Sequence, residues 1–139
     1  MDDVTLTETI CALLGRVPGW SYDPDPEAPP YPESVVGIFY GAIDAHPDRA
    51  IGVRLYGFDD DDLSVRRVQL MLRGPKDDST AGVDALASVA FLVLHGLSRA
   101  GGISDIRRVS AGPLGADESG REERSDNYQI IIDNPEALS

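Results

Sequence analysis

Pro113-Leu114-Gly115-Ala116-Asp117, Gly120-Arg121-Glu122-Glu123-Arg124 and Ser125-Asp126-Asn127-Tyr128-Gln129-Ile130-Ile131-Ile132 follow one another in the last third of the chain. Two strand-like runs, Ile103 to Ala111 and Asn127 to Asp133, are joined there by a polar, glycine-bearing turn. In the second run Tyr128, Ile130 and Ile132 share one face, because side chains alternate along a strand. Tyr128 is expected on the core face with its hydroxyl at the rim. Arg121 follows Gly120 in the turn, so it is expected to be exposed and free to pair with an acid across an interface.

Working upstream, the same alternation recurs. Val68, Leu70 and Leu72 alternate with Arg67, Gln69, Met71 and Arg73, and Gly74-Pro75 should stop that strand. Ile51, Val53 and Leu55 alternate with Gly52, Arg54 and Tyr56, with Gly57 to Asp62 as the turn between the two strands. Val35 to Ile43 is apolar between Pro32 and Pro47 and reads as a strand or a short helix.

Between the hairpins lies the strongest helical period. Val83, Leu86, Ala90, Val93, Leu94 and Leu97 form one stripe. Asp77, Asp78 and Ser79 supply acids and a cap at its start, and Arg99 with Gly101-Gly102 should close it. A first helix, residues 4–15, follows from Leu6, Ile10, Leu13, Leu14 and Val17, with Thr5 and Glu8 spaced as a capping box. Gly15 and Pro18 mark its end.

Five of the ten prolines fall between Pro24 and Pro32. Proline fixes φ and removes an amide donor, so residues 22–33 are expected to form an extended arm. The arm is a linker, a loop pinned by Trp20 and Tyr22, or a segment reaching a neighbouring subunit. The elements together predict an α+β fold, order α-β-β-β-α-β-β. Its mostly antiparallel sheet has about four to five strands, with the two main helices packed on one face.

At 139 residues the chain is expected to be a single domain, 1–139. Its one cysteine, Cys11, excludes an intramolecular disulfide and reads as a small core residue. The opening Met1-Asp2-Asp3 has no basic and apolar signature of a secretory signal, and the longest apolar run, Val89 to Leu94, is too short to span a bilayer. A soluble protein of a reducing cytoplasm is expected. With 24 acidic against 12 basic residues the net charge is −12, the wrong sign for wrapping nucleic acid. The pairs Arg66-Arg67 and Arg107-Arg108 do not alter this, since neighbours on a strand point to opposite faces.

No sequence constellation points to chemistry. There is no phosphate-cradling glycine loop and no nucleophile elbow. His46 precedes a proline in a turn and reads as solvated; His95 lies late on the second helix and reads as structural or solvent-facing. One thiol and two scattered histidines offer no metal set at ordinary spacings. The run Asp59, Asp60, Asp61, Asp62 could hold a divalent cation, but it lacks the glycine and distal glutamate of a calcium loop and reads as a solvated turn. No cofactor is expected, and the chain is not expected to be an enzyme.

From Val65 to Asp133 the chain resembles the tail terminator, or minor capsid, proteins of long-tailed bacteriophages. The resemblance is carried by Val68-Gln69-Leu70-Met71-Leu72-Arg73-Gly74, by Asp84-Ala85-Leu86, and by Leu94-His95-Gly96-Leu97. It continues through Pro113-Leu114-Gly115, Gly120-Arg121 and Ser125-Asp126-Asn127-Tyr128. It implies a homo-oligomeric ring of about six copies, closed by a head-to-tail contact. As the resemblance implies, the ring caps the tail tube, stops its polymerisation and joins the tail to the head-tail connector protein. Its partners would be the major tail tube protein and the connector, in the virion's tail or neck after assembly in the host cytoplasm. DNA would pass through the lumen without specific binding, helped by acidic walls. Asp59, Asp60, Asp61, Asp62, Pro29, Pro30 and Arg121 are the expected interface residues. Another neck or connector protein and a small-molecule-binding regulatory α/β domain are the alternative readings.

Overall fold

The computed structural model describes residues 1–76, 80–99 and 101–133. The chain folds as α1 (Asp3–Leu14), β1 (Trp20–Ser21), β2 (Val36–Tyr40), β3 (Ala50–Asp59), β4 (Ser64–Lys76), α2 (Thr80–Leu94), β5 (Ile103–Ala116) and β6 (Arg121–Ile132). The strands form one sheet in the order β1-β2-β3-β4-β6-β5. The pairs β3–β4, β4–β6 and β6–β5 are antiparallel, whereas β1–β2 and β2–β3 are parallel.

The α+β class holds, but the expected sheet of four to five mostly antiparallel strands is corrected to a mixed sheet of six. The extra strand is Trp20–Ser21, just before the proline arm. β2 and β3 pair only from Gly37↔Ala50 to Tyr40↔Val53. So short an overlap lets the loop 41–49 carry the chain back to a parallel start without the usual long crossover. That loop crosses the sheet over Gly52, where any side chain would collide with the carbonyl of Gly41.

Both helices lie on one face and touch each other, α1 over β2 and β3 and α2 over β4 and β6. The core beneath them contains Leu6, Ile10 and Leu14 of α1 and Val83, Leu86, Ala90 and Leu94 of α2. Against these pack Ile51 and Val53, Val68, Leu70 and Leu72, and Tyr128, Ile130 and Ile132 from three adjacent strands. Burial of this apolar surface is the main favourable contribution to the fold.

Element ends differ from the sequence expectation in physically specific ways. α1 is capped by Asp2, whose carboxylate accepts from the Thr5 N–H at 2.7 Å, three residues before the expected Thr5 cap. α2 ends at Leu94, with Gly96 left-handed at φ 80°, and not at Gly101. Its proposed cap, Asp77 to Ser79, lies outside the described residues. β4 runs through Pro75 to Lys76 past a register shift, and β5 through Pro113 to Ala116. Proline is tolerated at a bulge or on an edge strand, and β5 is an edge that pairs only with β6. β6 begins at Arg121, so the charged run 121–126 is strand and not turn.

Cys11 is fully buried, and burial pushes its thiol up to about 12. Among the described residues no helix is long and apolar enough to cross a membrane.

Candidate assembly surfaces

Asp59 to Asp62 sit at the exposed tip of the β3–β4 hairpin. The Asp59 carboxylate accepts from the Asp61 N–H at 3.0 Å, which closes the turn on itself. Asp60 is tied inward: Arg66 donates to it at 2.6 Å and to Asp3 of α1 at 2.8 Å. Phe58 and Leu63 flank the acids and are 66% and 58% exposed. The tip is therefore a carboxylate cluster between two exposed apolar side chains. Arg66 faces the helices while Arg67, its neighbour, lies on the opposite face of the sheet, as the strand period requires.

The proline arm is pinned at both ends. Trp20 and Tyr22 pack against the core at its start. At its finish Tyr31 accepts from the Asp23 N–H at 2.8 Å and donates to the Ile38 carbonyl at 2.9 Å. Pro29 and Pro30 lie on the exposed stretch between these anchors.

Arg121 is not where the sequence suggested. It is 8% exposed, and its guanidinium donates to Asp117 at 2.8 Å, to the Ala45 carbonyl at 2.7 Å and to Asp48 at 3.2 Å. The turn before it explains this. Asp117 also accepts from the N–H groups of Ser119 and Arg121, each at 2.9 Å, and Gly120 takes φ 80°, which a residue with a side chain seldom adopts. Burial works to raise the Asp117 carboxyl, but the hydrogen bonds and charge of Arg121 hold it below its ordinary value.

Arg73, which sequence reasoning passed over, lies beside Arg121. It is 6% exposed and donates to the carbonyls of Asp44, Pro47 and Asp48 at 2.7–2.8 Å. Burial, with the neighbouring Arg121 charge, lowers its pKa. Two arginines thus gather the loop 41–49, including the cis His46–Pro47 bond, onto the end of the sheet. On the same loop His46 pairs with Glu33 at 2.7 Å, and the Asp48 N–H donates to Glu33 at 3.0 Å. Glu33, His46 and Asp48 are the one set of three potential metal ligands that come together among the described residues. His46 is solvated as expected but not scattered. Each member of the set already has a protein partner, since Arg121 takes Asp48, so the set reads as a loop tie. The carboxylates of Asp59 to Asp62 form no such set among the described residues.

A second polar network was legible and missed. Asp126 is fully buried on the helix side of β6 and accepts from Arg124 at 2.8 Å and Arg108 at 3.3 Å. Arg124 continues to Asp84 of α2 at 2.8 Å. Arg108 lies 4.4 Å over the Phe91 ring, on which His95 also stacks. Stepping back by twos from Tyr128 gives Asp126 and Arg124, so the period that located the core also located this network. Tyr128 itself corrects an expectation: its hydroxyl is buried, with no hydrogen-bond partner among the described residues, and is not at the rim. Burial pushes it up to about 12.

On the face away from the helices Gln69 donates to Asn127 at 3.2 Å and Asn127 to Ser110 at 2.9 Å. Beyond them the long β5 edge pairs with no further strand among the described residues.

Three features stand exposed: a β5 edge with no further strand beside it among the described residues, an acidic tip framed by apolar side chains, and an anchored arm. They fit a structural protein of a phage virion. The model of the family described as bacteriophage tail terminator protein matches residues 17–134, and the chain belongs to that family. The match takes in the proline arm, which the resemblance read from the sequence had left outside. A solved structure, the "Virion of native gene transfer agent (GTA) particle", shares the fold at a TM-score of 0.53 and 12% identity, over 90% of this chain and 84% of that one. No curated protein matches in sequence.

Proposed function

We propose that the chain closes into a ring of about six copies that caps the tail tube, ends its polymerisation and meets the head connector. The observation that carries this reading is the tail terminator family match over residues 17–134. The open β5 edge supports it, because an unpaired strand is a ready template for a neighbouring chain. The net charge of −12 suits a lumen through which DNA slides without sticking. In this reading Asp59 to Asp62 and the exposed Pro29 and Pro30 meet a neighbouring subunit or partner. Arg121 acts there indirectly, by fixing the β5–β6 turn and the loop 41–49.

The test is mass in solution by light scattering across a concentration series, with negative-stain imaging of the largest species. A closed ring with a central hole is expected. A chain that stays single both alone and on purified tail tube overturns the reading. Replacing Asp59 to Asp62 with serine should alter ring assembly; unchanged assembly removes that tip from the interface.

A further inference from the structure

Between α1, the proline arm and the outer edge of β2 lies a cleft of about 530 Å³. Its existence follows from the topology: β1 pairs with Val36 and Gly37 alone, so Ile38 to Tyr40, which pair with β3 on their inner side, have no strand on their outer side among the described residues. The cleft walls carry Tyr22, Tyr31, Phe39 and Tyr40. Tyr31 and Phe39 meet edge to face at 5.3 Å, and the two Tyr31 hydrogen bonds hold the arm as the outer wall.

Four carboxylates border the aromatic walls: Glu8, Asp23, Asp25 and Asp44. None forms an ion pair among the described residues. No lysine or arginine lines the cleft, and His46 there is already paired with Glu33. Asp23 and Asp25 each accept one backbone N–H, from Asp25 at 3.1 Å and from Glu27 at 2.9 Å, but no cation balances their charge. Aromatic faces beside carboxylates without a counter-charge attract a guanidinium or ammonium group, by cation–π contact and by charge-assisted hydrogen bonds.

The complementary chemistry is present on the same chain. Arg54 and Arg67 lie on the sheet face that no helix covers, Arg54 opposite Gln69 and Arg67 two residues before Gln69 on β4. That spacing makes them diagonal neighbours, within reach of one site. Neither has an ion-pair or hydrogen-bond partner among the described residues, whereas Arg66, Arg73, Arg108, Arg121 and Arg124 are all engaged. A chain of net charge −12 that keeps two neighbouring arginines free on one face has a surface suited to its own acidic cleft.

We propose that the acidic aromatic cleft of one copy receives Arg54 and Arg67 of the next copy. The contact is heterologous, joining two different surfaces, which is the geometry that a closed ring requires. The proposal rests on the ring reading above and names its contact.

Two variants test it. One carries Arg54→Glu and Arg67→Glu; the other carries Glu8→Arg and Asp44→Arg. Each alone opposes like charges at every contact. At a concentration where the wild-type chain is fully assembled, each variant should give the mass of a single chain. An equimolar mixture should recover the wild-type mass, because alternating copies match opposite charges at both contacts. That recovery also shows that both variants fold. Arg54→Gln with Arg67→Gln and Glu8→Gln with Asp44→Gln serve if a reversal impairs folding; each should raise the concentration needed for half-assembly at least tenfold.

Wild-type assembly with either reversal variant assembling equally well overturns this contact and leaves the ring reading standing. So does a mixture of two folded variants that stays as single chains. Unchanged assembly with loss of binding to purified tail-tube protein assigns the arginines to that partner and overturns the proposal. A wild-type chain that never associates, alone or on the tube, overturns the ring reading itself.

Discussion

The two ends of the sheet use arginine in opposite ways. At the end where β3 begins and β4 finishes, Arg73 and Arg121 are buried and their donors meet mostly backbone carbonyls of the loop 41–49. At the hairpin end, Arg66 stands at the rim and bridges two exposed carboxylates, Asp3 and Asp60. The first arrangement organises a segment with no regular structure of its own. The second joins elements that are already formed. A buried cation leaves its acceptors without partners when removed, whereas a rim pair is replaced by water at little cost.

The largest expected effect is therefore Arg73→Ala. It strips the carbonyls of the loop 41–49 of their donor and should destabilise the fold by about 3 kcal/mol, read from the midpoint of denaturant unfolding. A loss below about 1 kcal/mol would mean that the loop holds itself and the contrast between the ends is false.

Acid should separate the ends next. Glu33 is held below its ordinary value chiefly by the Asp48 N–H, and Asp117 by the Arg121 hydrogen bonds that outweigh its burial. A depressed carboxyl contributes stability that is present above its unfolded pKa and is lost as pH falls through its folded pKa. Hydrogen exchange in the loop 41–49 should accelerate as pH drops below about 4, after correction for intrinsic rates. Exchange in that loop that stays constant down to about pH 3 would mean that these two carboxylates do not hold it.

Arg66→Ala should cost only about 1 kcal/mol, and less in high salt, because its partners are exposed. Asp60→Asn should be smaller still, about 0.5 kcal/mol or less by thermal melting. A salt-insensitive loss above about 2 kcal/mol at either position would make the rim pair as consequential as the buried clamp.

The contrast also explains what the sequence disclosed. The alternations in Ile51–Leu55, Val68–Leu72 and Tyr128–Ile132, and the stripe from Val83 to Leu94, each concern residues near one another in the chain, and each located its element. The acidic tip and the proline arm were visible as composition. The parallel pairing of β2 with β3 was not, because a short apolar run carries no sign of its partner's direction. Nor was the loop clamp, since Arg73 and Arg121 meet Asp48 and Ala45 from 25 and 76 residues away. Asp126 is different in kind. Its phase with Tyr128 and Ile130 puts it on the core face, but the run before Asn127 reads as turn in the sequence. Arg121 was misplaced by the same assumption about the run from 121 to 126.

Cys11 supplies the chain with an internal clock. Its sulfur has no access to solvent and resists ionisation, so a thiol reagent can react only after α1 has lifted from β2 and β3. The labelling rate then counts those openings. Because there is a single thiol, every modified molecule records the same event, whether the subunit is free in solution or held among its neighbours.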